Sequence, residues 1–282
     1  MQSECSFNTP RTQHGITIRT NALNKMALFE TFTASHAVLP LLTSAVFILA
    51  GLVKGLIGLG LPTVSMALLA LLMAPAEAAA LLIVPSLVTN VWQIRPWTAL
   101  KPMLRRLGLM QLGICFGTLA GAWVLGAPAG AWAMVSLGAA LIGYAAWGLA
   151  GTRISVKPQT ERWLGPLVGA VTGLVTAATG VFVIPAVPYL QALGLQRDEL
   201  IQAMGISFTV STLALAVGLY FNARYSGAVL EASLLMLLPT LGGMCVGQFL
   251  RQKLSPALFQ KCFLGSLIVL GIHMIAHEIL AH

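Results

Sequence analysis

Eight apolar runs follow one another along the chain, near 38–60, 77–94, 104–125, 129–150, 164–183, 200–221, 228–249 and 257–280. A helix needs about 20 apolar residues to cover the hydrocarbon thickness of a bilayer, so each run predicts one transmembrane span. Two further runs, 61–74 and 184–195, are apolar but too short to cross. Pro75, Pro128, Pro158 and Pro256 stand at or near the turns, where a missing N–H costs little. The pattern predicts an all-α polytopic membrane protein of about eight transmembrane helices, with short broken or re-entrant segments.

Composition agrees with that class. The chain is 57% hydrophobic and 9% charged, whereas soluble domains are about 45–50% apolar and about 25% charged. The net charge of +8 is spread in short patches between the apolar runs. Such patches orient helices in a bilayer and do not form a nucleic-acid surface, so no nucleic-acid partner is expected. With eight alternating crossings, Arg11, Arg19, Lys25, Arg95, Lys101, Arg105, Arg106, Arg153, Lys157, Arg162 and Arg224 fall on one side. Arg197, Arg251, Lys253 and Lys261 fall on the other. That count predicts a multi-pass protein of the cytoplasmic membrane with both termini in the cytoplasm. The 251–261 cluster sits on the wrong side of the count. Trp92, Trp97 and Trp163 flank the basic loops and Trp123 and Trp132 bracket the 126–130 turn, as interfacial tryptophans do.

Residues 1–36 are polar and carry no signal-peptide pattern; a start at Met26 would shorten this tail to a brief lead-in. Cys5, Cys115, Cys245 and Cys262 show no paired spacing and read as small reduced residues. The expected organisation is a tail (1–36), a first transmembrane repeat (37–150), a basic linker (151–163) and a second repeat (164–282).

The repeat rests on Gly51-x-x-x-Gly55-Leu and Gly169-x-x-x-Gly173-Leu, which lie 118 positions apart (51 to 169). Each is followed by a proline (Pro62, Pro185), a short apolar piece, an acidic turn (Glu77; Asp198 and Glu199) and a new span. The acidic residues suit helix N-termini. Paired, Gly/Pro-interrupted segments in two halves of a membrane protein point to a transporter's binding site, because irregular backbone at membrane depth needs protein, water or substrate partners. Close helix packing explains Gly51/Gly55 and Gly169/Gly173 equally well. It explains Gly58, Gly60 and Pro62 in one short run less well.

In Gly55-Leu-Ile-Gly-Leu-Gly-Leu-Pro62, in 80–93, in Gly173-Leu-Val-Thr-Ala-Ala-Thr-Gly-Val-Phe-Val-Ile-Pro-Ala186 and in 203–212, the chain resembles the TauE/SafE sulfite exporter family of membrane permeases. The resemblance covers roughly 38–280. It implies two related four-helix halves and export of sulfite, organosulfonates or related sulfur compounds. Many members carry three consecutive glycines where this chain has Gly60-Leu61-Pro62, a departure at the broken backbone.

Lys54 is the leading candidate for chemistry. A cation at the centre of a span costs about 2.5–3.5 kcal/mol on insertion scales and needs a partner or a wet cavity. An ammonium with free backbone N–H groups can hold an oxyanion; snorkelling to an interface is the competing role. Thr172 holds the matching place in the second half. Gly55, Gly58, Gly60 and Pro62 would supply the broken backbone beside Lys54, and Gly180 and Pro185 its echo. Ser86, Thr89 and Asn90, with Gln93 one turn on, share one side of a helix. Ser207, Thr209 and Ser211 do so in the second half, joined by Thr176 and Thr179. Interhelical hydrogen bonding is the alternative role for these hydroxyls.

The expected function is a secondary transporter exporting a small sulfur-containing anion by alternating access, without a cofactor, embedded in lipid and free to assemble as a homo-oligomer. Uptake of another solute on the same scaffold is the carrier-class rival. His273, His277 and Glu278 suggest an enzyme-class rival, an intramembrane metal enzyme, although two imidazoles one turn apart lack a third ligand in sequence. No phosphate-binding loop is present, so coupling to ATP within this chain is not expected.

Overall fold

A computed structural model describes residues 38–128, 130–151, 155–251, 253 and 256–280, and every regular element among them is helical. In chain order these are α1 (Val38–Ile57), α2 (Leu61–Leu69), α3 (Pro75–Leu81), α4 (Ile83–Gln93), α5 (Leu100–Leu125), α6 (Gly130–Ala150) and α7 (Pro158–Thr179). There follow α8 (Ala186–Ala192), α9 (Arg197–Phe221), α10 (Gly227–Leu235), α11 (Leu237–Leu250) and α12 (Pro256–Leu280). Residues up to Thr43 form a unit of their own, of which 38–43 open α1; Ser44–His282 is the compact unit described below. The tail 1–36, with both of its candidate starts, lies outside the described residues.

Six helical stretches are long and apolar enough to cross a membrane, and the bent pair α3/α4 makes a seventh. α7, with 22 residues, spans about 33 Å and is long enough too; its threonines and glycines lower its hydropathy. The two short runs form α2 and α8, as expected. Prolines shape the breaks. α3 and α4 meet at 46°, and Pro85 in the first turn of α4 has no N–H for the Leu81 carbonyl. The Ser233 hydroxyl donates to that carbonyl (2.7 Å) and accepts from the Val84 N–H (3.1 Å). α10 and α11 break at Met236, again three residues before a proline, Pro239.

Glycines set how the long helices pair. A methyl group on Gly51 would lie 2.1 Å from the Thr240 carbonyl oxygen, and one on Gly55 2.3 Å from that of Met244. From the other side, Gly243 meets the Ile48 carbonyl and Gly247 that of Leu52. In the second pair, Gly169 meets Met110, Gly173 meets Ile114, Gly113 meets Pro166 and Gly117 meets Ala170. The two seams match residue for residue, with α1 and α7 offset by 118 (51 to 169, 55 to 173) and α5 and α11 by 130 (113 to 243, 117 to 247). No side chain could enter either seam. In both, numbers rise together, so α1 runs parallel to α11 and α5 parallel to α7. By the same reading α4 and α9 are antiparallel, with Asn90 against Thr212 and Ile94 against Gln202. So are α6 and α12, where Gly138 and Gly271 each meet the other's carbonyl.

These directions invert the two halves. α1 and α3/α4 point the same way, so α2 and the 70–74 turn carry the chain back between them. α7 and α9 both point the opposite way, with α8 as the return leg. Each half thus has an odd number of legs, which is how an inverted-topology repeat arises.

The side assignment of the loops changes accordingly. Residues 94–99, 151, 155–157, 193–196, 251 and 253 share one face; the turns 70–74, 126–128 and 222–226 share the other. Alternating crossings had grouped Arg197 and 251–261 opposite 95–106; the return legs bring them together. Among the described residues the first face has Arg95, Lys101, Arg105, Arg106, Lys157, Arg162, Arg197, Arg251, Lys253 and Lys261, and the second has Arg224. The Ser44 end of α1 and the Leu280 end of α12 lie toward the second face; the termini themselves, expected on the side of the 95–106 loop, lie outside the described residues.

Candidate functional site

Where α1 ends, the backbone opens. Gly58 (φ 81°) and Gly60 (φ 113°) occupy the left-handed region that side chains resist, and Pro62 is the second residue of α2, where its missing N–H costs little. The Gln93 side chain donates to the Gly58 carbonyl at 3.0 Å, occupying an acceptor freed by the break. One turn earlier, Lys54 is buried, with 6% of its surface exposed, and its Nζ donates to Asn90 Oδ1. Asn90 Nδ2 in turn donates to Thr212 Oγ1 at 3.5 Å. Asn90 and Thr212 hold matching places in α4 and α9, 122 positions apart like Glu77 and Glu199, so they meet where the two halves face each other.

A cavity of about 470 Å³ leads from the basic face to this point. α1 contributes Lys54, Gly55 and Gly58. α4 and the loop beyond it contribute Thr89, Trp92, Gln93 and Arg95, α9 contributes Ile201, and Met244, Gln248 and Arg251 come from α11 and its end. The Arg95 guanidinium lies 4.0 Å from the centre of the Trp92 ring at the mouth, a cation–π contact that holds its charge there. Among the described residues, three cations line the cavity and no carboxylate does. Among the described residues the one ion pair, Arg106–Glu161 at 2.6 Å, lies between α5 and α7, outside the cavity lining. A water-accessible pocket with fixed positive charge and amide donors attracts a small anion. At its floor, an ammonium and the Gln93 and Gln248 amides could donate to separate oxygens of one oxyanion.

The structure sorts the remaining sequence candidates. Ser86 is fully buried on α4, one turn before Asn90, and its Oγ has no partner; Ser211 Oγ on α9 is likewise unpaired. Ser207 accepts from Gln111 Nε2 at 2.9 Å. Thr176, Thr179 and Thr209 donate to the carbonyls of Thr172, Val175 and Gly205 in their own helices. Gly180 closes α7 with φ 70° against Met66. Pro185 lines a separate apolar cavity of about 360 Å³ with Tyr144, Trp147 and Tyr189, away from Lys54. Of the set, Lys54, Gly55, Gly58 and Thr89 line the positive cavity, and Asn90 is bonded to Lys54 beneath it.

Arg95, Gln248 and Arg251 were not singled out from the sequence. The misfit of 251–261 in the charge count was a signal for Arg251; Arg95 and Gln248 gave none. His273 and His277 stand with ring centroids 6.2 Å apart. His273 lines a larger apolar cavity, about 780 Å³, between α1, α2 and α12. Among the described residues no three His, Cys, Asp or Glu side chains are grouped to hold a metal ion.

Comparison with known proteins adds one match. The family model described as Sulfite exporter TauE/SafE matches residues 43–274. No curated protein and no solved structure matches the chain.

Proposed function

Because the chain belongs to the TauE/SafE sulfite exporter family, we propose that it is a secondary carrier exporting sulfite or an organosulfonate through the cavity that ends at Lys54. The observation that carries this reading is a buried lysine, without a carboxylate in its cavity, at the floor of a cation-lined pocket. A largely buried cation at the floor of such a pocket gains from a counter-charge, and a sulfur oxyanion supplies it. Loading from the basic face places the anion beside the broken end of α1. Release by alternating access then requires the inverted halves to exchange their conformations.

Ten described cations against one orient the basic face to the cytoplasm. The cavity then opens inward, in the cytoplasmic membrane, and an inside-negative potential favours anion efflux by about 2.3 kcal/mol per charge per 100 mV. An impermeant thiol reagent should label a cysteine at Lys101 or Lys261 only from the cytoplasmic side, and one at Arg224 only from outside. The opposite pattern would reverse the orientation, and the carrier would load from outside.

Flux is tested in proteoliposomes with radiolabelled sulfite, taurine and sulfoacetate. Saturable flux of at least one, absent from protein-free vesicles, is expected; flux of none would overturn the assignment of a sulfur anion. At the mouth, Arg251→Gln should raise KM about three- to tenfold, the worth of one charge-assisted contact partly shared with water, with maximal flux little changed. An unchanged KM would remove Arg251 from the binding path.

A further inference from the structure

The repeat assigns a partner in the other half to every residue that lines the Lys54 cavity. Thr89 corresponds to Ser211 (offset 122), Gln248 to Thr118 (offset 130), and Lys54, Gly55 and Gly58 to Thr172, Gly173 and Thr176 (offset 118). On the Lys54 side Gln248 is exposed and Gly58 half-buried where they line the cavity, with Lys54, Gly55 and Thr89 buried behind them. Their counterparts between α5, α7 and α9 are sealed, with Thr118, Thr172, Thr176 and Ser211 all fully buried. Two of the sealed set are the ones left unsatisfied: Thr118 Oγ1 and Ser211 Oγ have no hydrogen-bond partner. A buried hydroxyl without a partner costs about 1–3 kcal/mol, and these two match Gln248 and Thr89, whose own places face the open cavity.

Farther along the same two helices the surface is apolar. A shallow cleft of about 430 Å³ at the ends of α5 and α9, on the face away from the basic loops, is lined by Leu119, Ala122, Trp123, Gly218, Phe221 and Asn222. Trp123 and Phe221 are exposed at its rim. One polar contact ties the two helix ends together: Asn222 Nδ2 donates to the Ala122 carbonyl at 3.1 Å. It donates to the Gly218 carbonyl of its own helix as well (2.9 Å).

We infer that the protein has a second, mirror-related access cavity, closed here, which Thr118, Thr172, Thr176 and Ser211 line and which Asn222 latches shut. It opens as the Lys54 cavity closes. The inference rests on the carrier reading, and it names the exit site: the unpaired hydroxyls of Thr118 and Ser211, flanked by Thr172 and Thr176, which donate to their own helix, with no cation. An oxyanion leaving Lys54 for such a site keeps hydrogen bonds and loses its ion pair, so it binds more weakly on the exit side, as an exporter requires.

The experiment is reciprocal cysteine accessibility in reconstituted protein whose own cysteines are replaced, using a membrane-impermeant maleimide. Thr118→Cys should be unreactive from the exit face at rest. It should react about tenfold faster when combined with Asn222→Ala, the expected worth of one lost hydrogen bond, or during turnover with sulfoacetate and Asn222 intact. Under the same conditions Gln248→Cys should lose reactivity from the basic face. Thr118→Cys unreactive in both arms while Gln248→Cys stays reactive would overturn the second cavity, as would Thr118→Cys reacting from the basic face. Loss of the sulfur-anion assignment is distinct: reciprocal labelling with Asn222→Ala would persist while no sulfur anion crosses.

Discussion

Lys54→Met should lower sulfur-anion flux about 10- to 100-fold while the protein still inserts and folds. The size follows from the chemistry: a hydrogen bond to a charged group is worth about 1.5–3 kcal/mol, and methionine keeps the volume and chain length of the lysine stem. Folding should be spared because a buried cation whose described partner is the Asn90 amide contributes little to stability; replacing it by an apolar side chain removes a desolvation cost. The loss should appear for every anionic substrate of the carrier. Lys54→Arg should keep part of the flux, since charge persists, although the wider guanidinium must displace Asn90. Normal flux through Lys54→Met would remove the lysine from the transport path and leave it a packing or snorkelling role.

The second large effect belongs to the glycine seams. Gly117→Ala and Gly247→Ala should each lower the melting temperature of the detergent-solubilised protein by about 5 °C or more, since overpacking of this kind costs about 1–3 kcal/mol. The added methyl would sit 2.0 Å from the Ala170 carbonyl oxygen in the first variant and 2.2 Å from that of Leu52 in the second. Backbone atoms cannot yield as a flexible side chain can. Because the two sites are equivalent, their effects should be similar. Gly108→Ala, Gly143→Ala and Gly265→Ala serve as controls: nothing lies within 4 Å of the added methyl, and alanine is the better helix former. They should be neutral or stabilising. A melting temperature unchanged at Gly117 and Gly247 would mean that α5/α7 and α1/α11 are not in backbone contact.

The spans, the two short segments and the paired glycine-rich stretches were legible in the sequence because hydropathy and Gly/Pro placement act locally. Direction was not. Hydropathy records whether a segment is long enough to cross, and α2 and α8 are too short to register as return legs. The α8 leg reverses the side of every later loop, which is why Arg251 and Lys253 fall on the wrong side of an alternating count. The partners of Gly51 and Gly55 were hidden for a related reason: Gly243 and Gly247 lie far along the chain and carry a different offset from the one the first pair suggests.

At the site, Lys54 and the α4 polar face were legible as a buried cation and polar positions on one side of a helix. The second-half hydroxyls were harder to read. Thr176, Thr179 and Thr209 satisfy carbonyls four residues back in their own helices, a choice that sequence does not reveal. Pro185 echoes Pro62 in order along the chain, yet it lines an apolar cavity among α6, α7 and α8 that does not include Lys54. The glycine missing at Leu61 proves to be the fully buried first residue of α2, with Gly58 and Gly60 still making the turn.

Equilibrium binding of radiolabelled sulfoacetate to the purified protein, compared between wild type and Lys54→Met, tests the central claim most directly. Saturable binding to wild type that is competed by sulfite and lost in Lys54→Met is the predicted result. Saturable binding of equal affinity in both proteins would contradict a sulfur-anion site built on Lys54.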